Sequence, residues 1–429
     1  VALAVLRRVS GDAYADRALQ GEARRAQLDP RDRALAHRLA FGAVQMRRTL
    51  DLVLDEALER PAGIEPAVRD VLRLGAYELV FCDGAPPHAV VDQAVRLARA
   101  LGGDPRRVRG RAGLVNAVLR RLAEDGRARV EALSDDTPGD AALRHSLPDW
   151  IAERLFAALG PDAARAELAA ANLPAESALR WNPLRGPRLP LEAQLPPGWS
   201  RDPLIPEAYV LSAPFALEES EAWARGRAVG QSRASMLPAR ALDPLPREKI
   251  LDLCAAPGVK ATHLAALTRN AARVTAVELH AARARALRSL ARRMGALIQT
   301  IEGDARDVRL DPPYDAVLVD PPCTGLGVLA ARPDARWRRR EEAIAPLVEL
   351  QGAILERALA LVRPGGRVVY STCTLLPEEN EGIVRASGAV VEDLAERFPG
   401  MAHPALPGAL LTLPSRHGTD GFFIALLRA

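Results

Sequence analysis

Three of the four cysteines in this chain, Cys254, Cys323 and Cys373, fall where strands of one predicted sheet end. Cys323 closes the run Asp320, Pro321, Pro322, Cys323, and Cys373 lies inside Ser371, Thr372, Cys373, Thr374. Strand ends along one edge of a parallel sheet converge on a shared crevice, so Cys323 and Cys373 are read as chemical groups. Cys254 sits in a tight strand-to-turn junction and reads more simply as a small buried hydrophobe. An Asp-Pro-Pro run followed by an aromatic would suit methylation of an exocyclic amine, because a proline-shaped turn and a stacking ring hold the amino group without a covalent bond. Here Cys323 replaces the aromatic. Carbon 5 of cytosine is a poor nucleophile until a thiolate adds to carbon 6, a reaction that needs a cysteine. A second reactive group must then assist proton loss and release.

These cysteines depend on the elements that carry them. Residues 249–260, KILDLCAAPGVK, read as a buried strand, a turn of small residues (Ala255, Ala256, Pro257, Gly258) and a helix opening at Val259 and Lys260. Such strand ends let a ligand approach the backbone. Twenty positions after Gly258, Glu278 ends a second strand-like run, where a carboxylate can accept both hydroxyls of an adenosine ribose. One glycine is far from G-x-G-x-x-G and no G-K-[ST] follows, so an adenosine cofactor lacking phosphates fits better. Lys249 and Lys260 are the only lysines in a chain that otherwise uses arginine. A compact, flexible ammonium is therefore expected to be wanted at the turn, with an ordinary helix-start residue as the alternative.

The pattern then alternates: strands over 274–277, 297–301, 316–319 and 367–370, with helices over 281–294 and 342–361. This implies a largely parallel sheet with helices on both faces. The closing run 421–429, GFFIALLRA, reads as an antiparallel last strand. Before the sheet, residues 1–138 read as an all-α bundle. Asp29 and Pro30 supply a cap and first turn, and Leu35, Leu39, Ala43, Met46, Leu50, Leu54 and Leu58 form one apolar stripe. Arg106, Arg107, Arg109 and Arg111, with Arg120, Arg121, Arg127 and Arg129 close after, are either a solvated face or a phosphate-binding patch. Residues 139–240 read as a connecting α+β domain. Its prolines from Pro183 to Pro206 exclude regular helix or central strand, and Gln231 and Ser235 are expected in a segment under the cofactor crevice. The third domain spans 241–429.

At 429 residues, with 48% hydrophobic and 26% charged, the chain is long enough for two or three ordinary folded domains. No apolar run reaches membrane-spanning length, and no charged-then-apolar leader is read before the first helix. The cysteines, Cys82 included, lack C-x-x-C spacing, so neither a metal site nor a disulfide framework is expected, and a reducing, cytoplasmic setting is.

Residues 240–429 resemble the Fmu (Sun) family of ribosomal-RNA cytosine-C5 methyltransferases. The matching pieces are LDLCAAPGVK, AVELH, GDARD at 303–307, VLVDPPCTGLGVL at 317–329, RPDARW at 332–337, STCTLLPEENE at 371–381 and DGFF at 420–423. LRLGAYELVF at 72–81, Pro86 with Pro87, and VNAVLRRL at 115–122 resemble the NusB-type helical RNA-binding domain. Together they narrow the resemblance to the RsmB-type branch acting on small-subunit (16S) rRNA. The resemblance implies a Rossmann-like domain with a seven-stranded, mostly parallel sheet and S-adenosylmethionine as cofactor. It makes Cys254, Ala255, Ala256, Pro257, Gly258, Val259 and Lys260 the cofactor loop, Glu278 the ribose ligand and Asp304 the adenine-side contact. Asp320 becomes the carboxylate near cofactor and target base, Cys373 the nucleophile and Cys323 the helper in product release, with Lys260 favouring the thiolate. Small-subunit rRNA is the implied partner of a monomer, with no membrane and no metal. Two departures stand out: Val259 where the family has a second glycine, and Pro321 where it has alanine. An amino-group methyltransferase and a non-enzymatic RNA-binding factor are the competing readings. 5-Methylcytidine in product RNA separates the first, and intact Cys373, Asp320 and Lys260 argue against the second.

Overall fold

A computed structural model describes residues 1–429 except positions 12 and 214. The chain forms two compact units, Val1–Leu173 with Leu329–Arg339, and Pro174–Val328 with Arg340–Ala429. The stretch read as one connecting domain is thus shared: its helices Pro138–Arg144, Asp149–Leu159 and Pro161–Ala170 join the helical unit, and its strands join the sheet unit. No helix among the described residues is long and apolar enough to cross a membrane.

The first unit is all helical. Asp29 accepts from the Asp32 N–H at 2.8 Å and Pro30 opens the helix, as expected. That helix ends at Gln45 and a second runs Arg47–Ala57, so the stripe read from Leu35 to Leu58 lies on two helices broken at Met46. Leu35 is exposed, while Leu50 and Leu54 join Leu72 and Leu119 in the core. Gly42 lets the Tyr77 ring close in, since a Cβ there would come within 1.8 Å of the ring carbon Cζ. Asp104 caps the helix Pro105–Glu131 by accepting from the Arg106 and Arg107 N–H groups, both at 3.0 Å.

Residues 329–339, read as part of the sheet domain, are built into this helical unit. Arg336 is fully buried there and donates to Ala171 O and Asn172 Oδ1 at 2.9 Å, Ser146 O at 3.2 Å and Gln45 O at 3.3 Å. Trp337 Nε1 donates to Val44 O at 2.6 Å, under the Arg47 guanidinium. The planar head of Arg336 thus serves the Asn172 side chain and main-chain carbonyls that would otherwise be buried unpaired.

The second unit carries two sheets. In the smaller, β1 (Ala178–Trp181), β2 (Ser200–Arg201), β3 (Ala208–Val210) and β4 (Ala228–Gly230) pair antiparallel in the order β2-β3-β1-β4. Despite its prolines, the segment between β1 and β2 forms a 3-10 turn, Pro183–Arg185, and a short helix, Leu189–Glu192, each with a proline in its first turn, where no N–H is needed. The larger sheet comprises β5 (Lys249–Asp252), β6 (Arg273–Glu278), β7 (Ile298–Glu302), β8 (Tyr314–Val319), β9 (Val362–Thr372), β10 (Val390–Glu392), β11 (Leu410–Thr412) and β12 (Phe422–Arg428). Seven strands run in the order β10-β12-β9-β8-β5-β6-β7, and β11 adds an eighth by pairing with β12. β5 to β9 are mutually parallel, and β12 lies antiparallel to β9 with Ala425 opposite Tyr370.

Candidate active site

β5 lies between β6 and β8, so the chain leaves it toward opposite sides of the sheet. This order reversal opens a crevice beyond the carboxyl ends of the strands. β5 ends at Asp252, and the loop through Cys254, Ala255, Ala256, Pro257 and Gly258 follows. The Ala255 N–H donates to Val277 O at 2.9 Å, tying that loop to β6. Gly258 takes φ of +107°, a left-handed conformation open to glycine, and the helix Val259–Leu267 begins behind it. Arg180 of β1, fully buried, donates to Val259 O and Thr262 Oγ1, both at 3.0 Å, and so holds the first turn of that helix from beneath.

Lys260 reaches from this turn to Asp320, which directly follows β8, with Nζ 2.7 Å from Oδ2. Burial works against the ammonium, but Asp320 outweighs it and raises the Lys260 pKa. The other Asp320 oxygen accepts from Ser371 Oγ of β9 at 3.0 Å. Asp320 thereby joins the Lys260 helix to the strand that presents Cys373. Cys373 is half-buried and its Sγ lies 3.3 Å from that of buried Cys323. The contact with Cys373, then burial and the charges of Glu379 and Asp320, push the Cys323 thiol well above its ordinary range. The two sulfurs thus differ in surroundings: the Lys260 ammonium is coupled to Cys373, whereas acidic groups act on Cys323.

Glu278 closes β6, is 4% exposed, and accepts from the His280 N–H at 3.0 Å. Asp304, after β7, is engaged by Arg306 at 3.0 and 2.6 Å, which holds its pKa down near about 2. Cys254 is only part of the loop wall, and its thiol is pushed up by burial.

Several groups escaped the sequence reading. Asp252 is the strongest case: both carboxylate oxygens are buried without a hydrogen-bond partner among the described residues, and burial together with Asp320 pushes its pKa up to about 7. An orphaned carboxylate at the carboxyl end of β5 suits a ligand that brings a cation. Its signal was the D in LDLC, hidden because that run reads as a plain buried strand. Glu379, Thr324, Thr374 and Gln351 form a buried network behind the cysteines. Among the described residues no group of three or more His, Cys, Asp or Glu side chains could hold a metal ion.

The model of the 16S rRNA methyltransferase RsmB/F family matches residues 239–428, and that of the NusB family matches residues 1–124. The chain is 33% identical to the probable ribosomal RNA small subunit methyltransferase B of Synechocystis sp., over 97% of this chain and 96% of that one. It is 37% identical to the ribosomal RNA small subunit methyltransferase B of Thermus thermophilus, over 100% and 96%. The solved structure of PH0851 superimposes with a TM-score of 0.81 at 25% identity, covering 100% of this chain and 97% of that one. With relatives of this name matched over nearly their whole length, the chain belongs to the RsmB family of small-subunit ribosomal RNA methyltransferases.

Proposed function

We propose that this protein methylates carbon 5 of a cytidine in small-subunit rRNA, using S-adenosylmethionine and a transient bond from Cys373 to carbon 6 of the base. The observation that carries this reading is the pair Cys323 and Cys373, 3.3 Å apart beside the Lys260–Asp320 contact. An exocyclic amine needs no thiol, so two cysteines together favour carbon methylation.

Residues 254–260 and Glu278 would hold the cofactor, and the orphaned Asp252 carboxylate suits its ammonium. When bound, S-adenosylmethionine supplies an electrophilic methyl group. The Cys373 thiolate, favoured by Lys260, forms a sulfur–carbon bond at C6, and the C5–C6 π electrons become available at C5. Asp320, held by Lys260 and Ser371, bonds the ring edge and favours that addition. Once C5 carries the methyl group its proton leaves with assistance from Cys323, the C5–C6 double bond re-forms, and the thiolate departs. The helical unit binds rRNA, and the setting is the cytoplasm, where rRNA is made.

Bisulfite sequencing of rRNA from cells with and without the protein tests the whole reading: one cytidine should lose protection when the protein is absent. Cys373→Ala should abolish methyl transfer while leaving S-adenosylmethionine affinity intact. Retained turnover, or an N-methylated base as product, refutes it.

A further inference from the structure

The loops that carry the two cysteines are joined behind the site by one buried acid. Glu379 is fully buried, and three donors converge on its carboxylate: Thr324 N–H at 2.9 Å, Thr324 Oγ1, and Gln351 Nε2 at 2.9 Å. Thr324 adjoins Cys323 in sequence and its hydroxyl meets Thr374 Oγ1 at 2.7 Å, next to Cys373. Gln351 also donates to Pro322 O at 2.8 Å, on the other side of Cys323. Tyr370, on β9, donates to the main-chain oxygen of Glu379 at 2.6 Å. The Gly327 N–H donates to Cys373 O at 2.9 Å, a second tie between the two loops. No Lys or Arg pairs with Glu379 among the described residues. A buried carboxylate without a cationic partner is costly, and here only these hydrogen bonds offset the cost.

We propose that Glu379 is a positioning residue that sets the separation of the two thiols and, through its charge, keeps Cys323 protonated up to the step in which the C5 proton is removed. The proposal rests on the reading that Cys373 is the nucleophile and Cys323 the release helper. The titratable groups facing Cys323 are Cys373, Glu379 and Asp320, with the Tyr370 phenol also coupled to it. Two carboxylates face this thiol, so removing one charge eases its ionisation. Glu379→Gln suits the test. The amide oxygen can still accept from Thr324 N–H and Gln351, while the amide nitrogen donates to the Thr324 hydroxyl, which turns toward Thr374.

The experiment follows decay of the covalent enzyme–RNA complex on denaturing gels across pH, in the full-length protein. E379Q should move the midpoint of the release profile down by about one pH unit. Glu379→Asp keeps the charge but shortens the reach, and should slow adduct formation at least tenfold with an unshifted midpoint. An unshifted E379Q profile overturns the charge role, and a full-rate E379D protein overturns the positioning role. If E379Q does not fold, the E379D rate decides alone. Failure of both the wild-type protein and Cys323→Ala to form any adduct would instead overturn the cysteine roles, and this proposal with them.

Discussion

Asp252 makes the crevice sensitive to pH in a direction that follows from its surroundings. Burial, then Asp320, raise its pKa to about 7, so in the cofactor-free protein it stays protonated well above the usual carboxylate range. A carboxyl group raised in the folded state contributes stability at low pH that is lost as pH rises through about 7. To hold the cofactor's ammonium it must first lose its proton. S-Adenosylmethionine affinity, measured by calorimetry, should therefore rise as pH increases from 6 and level off above about 7. Asp252→Asn should flatten that dependence and weaken binding, yet raise the melting temperature of the cofactor-free protein at pH 8, where the buried charge is costly. Parallel pH profiles for the two proteins would remove Asp252 from the cofactor site. Glu278→Ala should weaken the same binding by roughly tenfold or more, as losing charged hydrogen bonds of about 1.5 to 3 kcal/mol each implies. At the rim, Cys323→Ala should accumulate an enzyme–RNA adduct as a shifted band on a denaturing gel. The same band from Cys373→Ala but not from Cys323→Ala would exchange the two roles. That Cys323 and Cys373 meet, with Lys260 on Asp320 beside them, agrees with how each was nominated: the cysteines by strand-end placement, Lys260 by the rarity of lysine, and Asp320 by the family resemblance. Asp252 and Glu379 were not legible in the sequence, because being orphaned or being shared by two loops is a property of the folded surroundings.

Among the elements, those with a single strong period were easiest to read. The helix Ala281–Met294 and the antiparallel last strand lie where their patterns placed them. The stripe through Met46 misled because apolar spacing continues across the break, while the chain itself leaves helical geometry at φ −90° and ψ 17°. The placement of residues 329–339 in the helical unit was not legible for another reason: most partners of Arg336 are main-chain carbonyls, one of them 291 residues away in sequence, and no side-chain pattern encodes such partners. Arg336→Leu should consequently destabilise the helical unit by roughly 3 kcal/mol or more, since several buried acceptors lose their donor at about 1 to 3 kcal/mol each. Arg336→Lys should recover only part of this, because an ammonium cannot span the same set of carbonyls. Denaturant unfolding of both variants checks it, and wild-type midpoints would show the carbonyls satisfied by other means.

At the scale of the whole molecule, the βα alternation made the sheet unit legible, whereas the mixed composition of residues 139–240 concealed that its first helices and its strands belong to different units. That division changes how RNA binding by the helical unit should be tested. Deleting residues 1–130 would cut through the unit and strip Gln45 from the Arg336 site, so lost binding could reflect unfolding. Substitution on the intact unit is cleaner, and the arginine run is not uniform. Arg107 and Arg111 pair with Glu65, Arg127 with Asp83 and Arg129 with Asp125, whereas Arg106, Arg109 and Arg120 are exposed and carry no ion pair among the described residues. Extruding a base from its stack costs a few kcal/mol, which contacts elsewhere on the RNA must offset. Arginines on phosphates supply such contacts, and each adds about 0.7 to 0.9 to the slope of log affinity against log salt. Replacing Arg106, Arg109 and Arg120 together with Gln should therefore raise the RNA dissociation constant and flatten its salt dependence by about 2, with S-adenosylmethionine affinity unchanged. Replacing Arg107 and Arg127, already held by carboxylates, should do much less. If the triple variant bound RNA with the wild-type affinity and slope, the helical unit would have to act through a different face.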